Sequence, residues 1–367
     1  MNQPEKSVSH QQPVAVDAMG GDRAPAVVVE GAVAACQDGH GPVILVGDEA
    51  RIRAELERYE AADLPIQVVH ADEVIAMSEN PARAARSKRE SSMHKCFELL
   101  RAGEACAVVS AGNSGAFLGV GLLSVKRMKR CDRPAIATSL PSAKAPTILL
   151  DIGANVEVRA AHLVQFALMG AAYSKVKYGR ERPTVALLSN GTEATKGTDT
   201  LREAHRLLTQ THLNYIGFVE GRDIPEGCAD VIVTDGFVGN VVLKLLEGVV
   251  TSLIERVRDS VKNNWLANLV SPAMKGPLEA LFHELDWQNT GGAPLLGLNG
   301  VAMVAHGRSS PRAICNSIKR ARAYAEVGLM DAINDSLAES APTEMTSTSE
   351  LPLNRLTGEG DRPASES

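Results

Sequence analysis

The segment Val14-Ala-Val-Asp-Ala-Met-Gly-Gly-Asp22 decides how the rest of the chain is read. A short run of β-branched and small apolar residues closes on an aspartate and gives way at once to glycines, the composition of a buried strand followed by a turn. The same pattern recurs. Strands are expected at Val14–Asp17, Val43–Val46, Ile66–His70, Ala107–Ser110, Ile148–Asp151, Val185–Ser189, Asn214–Val219, Val231–Asp235 and Val301–His306, with long amphipathic segments between most of them. Short aliphatic runs alternating with helical patterns signal a largely parallel sheet covered on both faces. No fixed-period repeat and no linker divides the chain. The expectation is a single three-layer α/β/α domain over residues 13–336, built on one open sheet, with a helical excursion near 261–285.

Composition sets the outer limits. Of 367 residues, 44% are hydrophobic and 22% charged, enough for a sizeable core and incompatible with wholesale disorder. The net charge is −6 and aromatics are only 4%, which argues against nucleic-acid binding through bulk charge or base stacking. Six cysteines without a C-x-x-C pair fit buried free thiols in a reducing cytosol. No run of eighteen apolar residues occurs, and the polar residues 1–12 read as a flexible N-terminus of a soluble chain. Residues 337–367 read as a disordered acidic tail, whose six acids and two bases carry most of the net charge.

Ligands of open α/β sheets bind beyond the carboxyl ends of the strands. Here those ends are Asp17-Ala-Met-Gly-Gly-Asp22, Ser110-Ala-Gly-Asn-Ser-Gly115, Asp151-Ile-Gly-Ala-Asn155, Ser189-Asn-Gly-Thr-Glu193, Asp235-Gly-Phe-Val-Gly-Asn240 and His306-Gly-Arg-Ser-Ser310. Small residues let the backbone approach a ligand, and several turns enter a helix, bringing free N–H groups to the rim. The expectation is one shared anion site. Its lining would include Asp17, Gly20, Gly21 and Ser114 from the first turns, and Asp151, Asn155, Asn190, Gly191 and Glu193 from the later ones. Named motifs are missing: in Gly191-Thr-Glu-Ala-Thr-Lys-Gly-Thr198 the lysine precedes the second glycine, so the P-loop register fails. No dinucleotide fingerprint, nucleophile elbow or H-E-x-x-H is found, and neither metal nor cofactor is called for.

Charge is uneven. Arg83, Arg86, Lys88, Arg89, Lys95 and Arg101 form one basic cluster, and Lys126, Arg127, Lys129, Arg130 and Arg133 a second. Each reads either as a solvated helix face or as a docking surface for an acidic partner, and Lys88, Ser91 and Ser92 could hold phosphate. Between Val261 and Leu285 an apolar stripe containing Trp265, Leu266, Leu269 and Val270 is broken at Pro272, near Met274. It reads as core, as a dimer interface, or as a contact with lipid.

Six phrases carry a resemblance. Val16-Asp-Ala-Met-Gly-Gly-Asp22, Val109-Ser-Ala-Gly-Asn-Ser-Gly115, Asp151-Ile-Gly-Ala-Asn155, Val219-Glu-Gly-Arg-Asp223, Asp235-Gly-Phe-Val-Gly-Asn240 and Gly291-Gly-Ala-Pro-Leu-Leu-Gly-Leu-Asn-Gly300 resemble the PlsX-type phosphate acyltransferases, in order, from about Val14 to Leu329. Two departures are conservative: Lys88-Arg-Glu-Ser-Ser-Met93 for the usual Lys-Lys-Asp-Ser-Ser-Met, and Asn113-Ser-Gly115 for Asn-Thr-Gly. The resemblance implies a fold similar to isocitrate and isopropylmalate dehydrogenases and phosphotransacetylase. It implies transfer of a fatty acyl group from acyl carrier protein to inorganic phosphate, feeding phospholipid synthesis and a downstream glycerol-3-phosphate acyltransferase. A cytoplasmic homodimer held peripherally at the inner face of the cell membrane is also implied.

The residues suit that chemistry. Phosphate is itself a nucleophile and a thiol leaves readily, so no covalent acyl-enzyme is required. Lys196 and the helix N-terminus after Ser189-Asn-Gly are the candidates for phosphate or the oxyanion, with Asn113 and Asn240 as further donors. Asp235 would orient Lys196 or accept a proton, and His306 would protonate the departing thiolate. An acidic carrier protein gives Arg83, Arg86, Arg89, Lys126, Arg127, Lys129 and Arg130 a partner, and lipid gives one to the 261–285 segment. Rival readings are a nicotinamide-dependent dehydrogenase, a phosphotransacetylase using acyl-coenzyme A, and a noncatalytic membrane scaffold.

Overall fold

Among the residues described by the computed structural model, which are 12–263, Gly276 and 291–339, eleven strands share one sheet. They are β1 (Val14–Asp17), β2 (Val43–Gly47), β3 (Ile66–His70), β4 (Ala107–Ser110), β5 (Ala135–Leu140), β6 (Thr147–Leu150), β7 (Thr184–Leu188), β8 (Asn214–Val219), β9 (Val231–Val233), β10 (Ala293–Leu296) and β11 (Val301–Val304). Their order is β3-β2-β1-β4-β11-β10-β5-β6-β9-β7-β8. The helices are α1 (Ala26–Gln37), α2 (Glu49–Leu56), α3 (Pro81–Ser87), α4 (Ser92–Ala102), α5 (Ser114–Ser124), α6 (Ala160–Tyr178), α7 (Asp199–Leu208), α8 (Gly236–Asn263), α9 (Pro311–Glu326) and α10 (Leu329–Glu339).

All nine expected strands are present, and β5 and β10 are additional. These two run against their neighbours: β10 is antiparallel to β11 and to β5, and β5 is antiparallel to β6. Three successive reversals leave β6, β9, β7 and β8 opposed in direction to β1–β4 and β11. The strand ends therefore form two rims where the sequence suggested one. Both extra strands lack an obvious signal. Ala135-Ile-Ala-Thr-Ser-Leu140 is short and rich in small residues, and Pro294 within β10 removes a ladder donor.

Alternation along the strands divides the core. Val14, Val16, Val43, Leu45, Ala107 and Val109 share one cluster with Ile148, Leu150, Val185, Leu187, Val231 and Val233, so a single apolar layer under α1, α6, α7, α9 and α10 spans the sheet. On the opposite face the partners separate. Ala15, Ile44, Val108 and Phe117 belong to one cluster with α3, α4 and α5, whereas Leu149, Ala186 and Ile232 belong to another beside α8. Ile152 packs against both, at the seam.

The cysteines are free thiols, five of them buried and Cys228 partly so. α10 carries the fold beyond residue 336: Leu337 is buried and helix continues to Glu339. Trp265, Leu266, Leu269, Val270 and Met274, and the rest of the tail, lie outside the described residues.

Arg322 pins the start of the sheet. Its guanidinium is buried and donates to His40 O at 3.0 Å, Gln12 O at 3.1 Å and Pro42 O at 2.8 Å, carbonyls that precede β1 and β2. Arg322→Met should lower unfolding free energy by roughly 3 kcal/mol, because three partly buried acceptors lose a charged donor. Arg322→Lys should recover only part, since one ammonium lacks the fork that reaches all three. Urea denaturation followed by circular dichroism checks this, and an unchanged midpoint for both variants would refute the pin.

Candidate functional site

The first rim is built around Asp17. Its carboxylate is buried and accepts from Ser92 Oγ at 2.7 Å, Ser110 Oγ at 2.7 Å and Met19 N at 3.2 Å. Burial pushes this carboxyl up from the usual aspartate range, and the hydrogen bonds oppose it. The turns touch closely enough that a Cβ on Gly20 would stand 2.7 Å from Gly112 N. Gly21, at φ +108°, lies beside the Gly307 carbonyl, to which Asp22 N donates at 2.9 Å. Arg23 Nη2 reaches Ser309 O at 3.1 Å, tying the turns after β1 and β11 together.

Several residues expected to meet substrate here are already committed. Lys88 Nζ binds Val74 O at 2.7 Å and Glu79 Oε1 at 2.5 Å, Ser91 Oγ caps α4, and Ser92 serves Asp17, so the suggested phosphate site of Lys88, Ser91 and Ser92 is not open. Asn113 spends both amide hydrogens on Met77 O and Glu79 O and its oxygen on Ala116 N, so it holds a loop and caps α5 and has no donor left for an oxyanion. Ser114 is exposed at the first turn of α5, and His306 is exposed, with Nδ1 accepting from Arg308 N at 3.1 Å.

The second rim is organised by Asp151. Its buried carboxylate accepts from Ile136 N, Gly153 N and Ala154 N on Oδ1 and from Asn155 N and Asn155 Nδ2 on Oδ2, at 2.6–3.2 Å. Burial pushes this carboxyl up from the usual aspartate range, and the five N–H donors oppose it. Asn155 Nδ2 also reaches Pro134 O at 2.7 Å. Asp151 and Asn155 therefore shape the loop.

On this platform sits the start of α8. Gly236 N donates to Asn155 O at 2.7 Å, and Asp235 Oδ1 accepts from Val238 N at 2.8 Å. Asp235 thus caps the helix. A Cβ at Gly239 would fall 1.9 Å from Asp151 O, and Asn240 lies 4.0 Å from the Cβ position of Gly153. Gly239 was not singled out as a functional position, yet the spacing of Gly236 and Gly239 already puts both on one helical face.

Beside β9, the turn after β7 completes this rim. Lys196 is exposed, and its methylenes lie over Gly191, where a Cβ would stand 2.7 Å from Lys196 Cγ and 2.9 Å from Glu193 Oε2. Asn190 Oδ1 accepts from Gly197 N at 3.0 Å, closing the turn. The backbone N–H groups of Asn190, Gly191, Thr192 and Glu193 and the Lys196 ammonium have no acceptor among the described residues. The structure thus unites Lys196, Asp235 and Asn240 on one rim and places Asn113 and His306 on the other. Five strand positions separate β7, which precedes Lys196, from β11, which precedes His306.

A sequence profile for the family described as fatty acid synthesis protein matches residues 13–331. The phosphate acyltransferase of Syntrophotalea carbinolica is 52% identical over 309 residues, covering 84% of this chain and 89% of that protein. In fold, the chain is similar to a phosphotransacetylase from Streptococcus pyogenes, with a TM-score of 0.60 at 16% identity over 87% of this chain and 96% of the other. It is also similar to 4-hydroxythreonine-4-phosphate dehydrogenase from Klebsiella pneumoniae, with a TM-score of 0.50 at 14% identity over 86% and 99%.

Gly239→Ala tests the second rim. The new methyl must push α8 off Asp151, so activity should fall at least tenfold while the far-UV spectrum stays folded. Gly221→Ala, in the turn after β8 with open space around it, should be silent. Equal activity of the two variants would remove the α8 start from the site.

Proposed function

The chain belongs to the fatty acid synthesis protein family of phosphate acyltransferases, and from that premise we propose that it moves a fatty acyl group from acyl carrier protein to inorganic phosphate on the second rim. The observation that carries this reading is the run of N–H groups from Asn190 to Glu193 beside the Lys196 ammonium, all without a partner among the described residues. Such a turn holds a phosphate dianion without displacing any internal bond. A phosphate oxygen attacks the thioester carbonyl carbon, the C–S bond breaks, and the thiolate leaves with the electron pair. Lys196 and the turn hold the nucleophile, Asn240 donates to the oxyanion, and Asp235 positions the α8 terminus. No acyl-enzyme is formed.

The two basic clusters support an acidic donor. A Cβ on Gly115 would touch Pro81 at 2.9 Å and one on Gly119 would touch Ala85 at 3.1 Å, so α3 and α5 advance together turn by turn. Leu122 and Leu123 near the end of α5 are 37% and 42% exposed and lie a few residues before Lys126 and Arg127 in sequence. Arg83, Arg86, Lys126 and Lys129 are exposed and unpaired among the described residues. Free basic groups together with two exposed leucines suit an acidic helix with apolar residues.

The homodimer belongs to the same proposal. α8 stands off the core with Phe237, Leu245 and Leu253 exposed by 61%, 63% and 56%, and Gly236–Val257 is long and apolar enough to cross a membrane by length and composition. Its start is fixed in the second rim and it carries Lys244 and Glu247, which favours burial against a second copy over passage through a bilayer. Peripheral membrane contact is assigned to the segment after α8.

Hydroxylamine should trap acyl hydroxamate when long-chain acyl carrier protein and phosphate are supplied, and Lys196→Met should lower the rate by about 10²–10³. No hydroxamate would refute the reaction. Reversing Arg83, Arg86 and Arg89 to Glu should slow transfer from the carrier at least tenfold and leave acyl-coenzyme A unaffected. Equal loss on both donors would refute the docking surface, and preference of the parent protein for acyl-coenzyme A would favour the phosphotransacetylase reading.

A further inference from the structure

The turn between β10 and β11, Gly297-Leu-Asn-Gly300, holds the basic segment that follows α5. Asn299 Nδ2 donates to Val125 O at 3.1 Å and to Arg127 O at 2.9 Å, and Asn299 N donates to Lys126 O at 3.1 Å, so one residue takes three consecutive carbonyls. Met128 N donates to Gly297 O at 2.9 Å. A Cβ on Gly297, at φ +98°, would stand 2.5 Å from Cys131 Sγ and 3.2 Å from Pro134 Cα. The segment then enters the second rim: Pro134 O accepts from Asn155 Nδ2, and Ile136 N donates to Asp151.

Within the segment stand Lys126 at φ 64° and Arg130 at φ 68°, the only non-glycine residues in the left-handed region among the described residues. Lys126 directly follows the C-cap of α5, where glycine is the default and a side chain costs backbone energy. Its own side chain is exposed and makes no hydrogen bond or ion pair among the described residues that would offset the cost. Lys129 is in the same state, whereas Arg127 donates to Asp132 O at 2.8 Å and Arg130 to Ala338 O at 3.3 Å. A positive charge suits the C-terminal end of α5, but that attraction needs no clamp on the main chain. Two ammonium groups on a fixed main chain suit carboxylates that are fixed as well, those of an acidic helix; attraction to an anionic bilayer is met by mobile lysines.

We propose that Asn299 is a positioning residue for donor recognition. By holding three carbonyls it keeps Lys126 left-handed and presents Lys126 and Lys129, on the approach to the second rim, as a preformed pair for carboxylates of acyl carrier protein. This rests on the reading that the carrier is the donor. A loop ordered before contact loses less freedom on binding, so the complex lives longer.

The test measures binding of acyl carrier protein to the full chain by surface plasmon resonance at low and high salt, with hydroxylamine-trapped turnover alongside. Asn299 is exposed, so Asn299→Ala spares the core. It also keeps every charge, so association should stay within about twofold of the parent while dissociation speeds up roughly fivefold. Lys126→Gly removes one charge, so association should slow roughly two- to fivefold and lose part of its salt dependence. Its urea midpoint should hold or rise, because glycine accepts the left-handed φ. The double variant should dissociate no faster than the faster single one, since the clamp acts through the loop; losses that multiply overturn the positioning role. Parent-like dissociation of Asn299→Ala, or a lower midpoint for Lys126→Gly, overturns it too. Retention on anionic phospholipid vesicles that depends on Asn299, with carrier binding that does not, overturns it in favour of a lipid surface. Carrier binding that depends on Asn299 without hydroxamate upholds the role and counts against the transfer. Hydroxamate from the carrier with no response to Asn299→Ala overturns the role and leaves the donor reading standing, and a parent protein that neither binds nor uses the carrier overturns both.

Discussion

A carboxylate without a cationic partner, sunk at the end of a central strand, orders this molecule. Asp151 gathers donors from β5, from its own loop and from Asn155, and the loop so fixed carries the first turn of α8. Burial pushes this carboxyl up from the usual aspartate range, and five N–H groups oppose that push. Removing the charge would leave those donors buried and unmatched, and the capping aspartate, the helix start and Asn240 would lose their common reference. Asp17 does the same for the first rim with hydroxyl donors from Ser92 and Ser110. Both aspartates are conspicuous in the sequence because they close strands, and both turn inward.

Most of the sheet was legible because its strands are short, aliphatic and buried on both faces, a pattern that needs no tertiary information. The two strands that escaped notice are the ones that matter topologically. A tract of small residues and a strand containing proline give no periodic signal, yet they reverse the chain direction and split the strand ends into two sets. That is why Lys196, Asp235 and Asn240 could be read as partners while Asn113 and His306 were grouped with them on type alone. Residue type also concealed commitment. Lys88 and Asn113 have the chemistry of substrate ligands, but Glu79, Met77 and the main chain already hold them.

Glycines supply much of the remaining definition. Gly20 and Gly239 sit where another backbone atom or a carbonyl occupies the space of a side chain, so they set how closely two turns or a helix and a loop approach. On α3 and α5 the same device acts between helices, where Pro81 lies over Gly115 and Ala85 over Gly119. Charge balance over the whole chain conceals the two basic clusters, because opposite charges elsewhere cancel in the sum without being neighbours in space.

The one-sided continuity of the apolar core has a mechanical consequence. A sheet backed along its whole width on one face, but covered by two separate blocks on the other, behaves as a leaf spring with a single stiff side. On the face covered in two parts, Ile152 packs against both blocks and so stands where a change of twist must be accommodated. β5, in the middle of the sheet, carries Ser139 toward one end and Ile136, bonded to Asp151, toward the other.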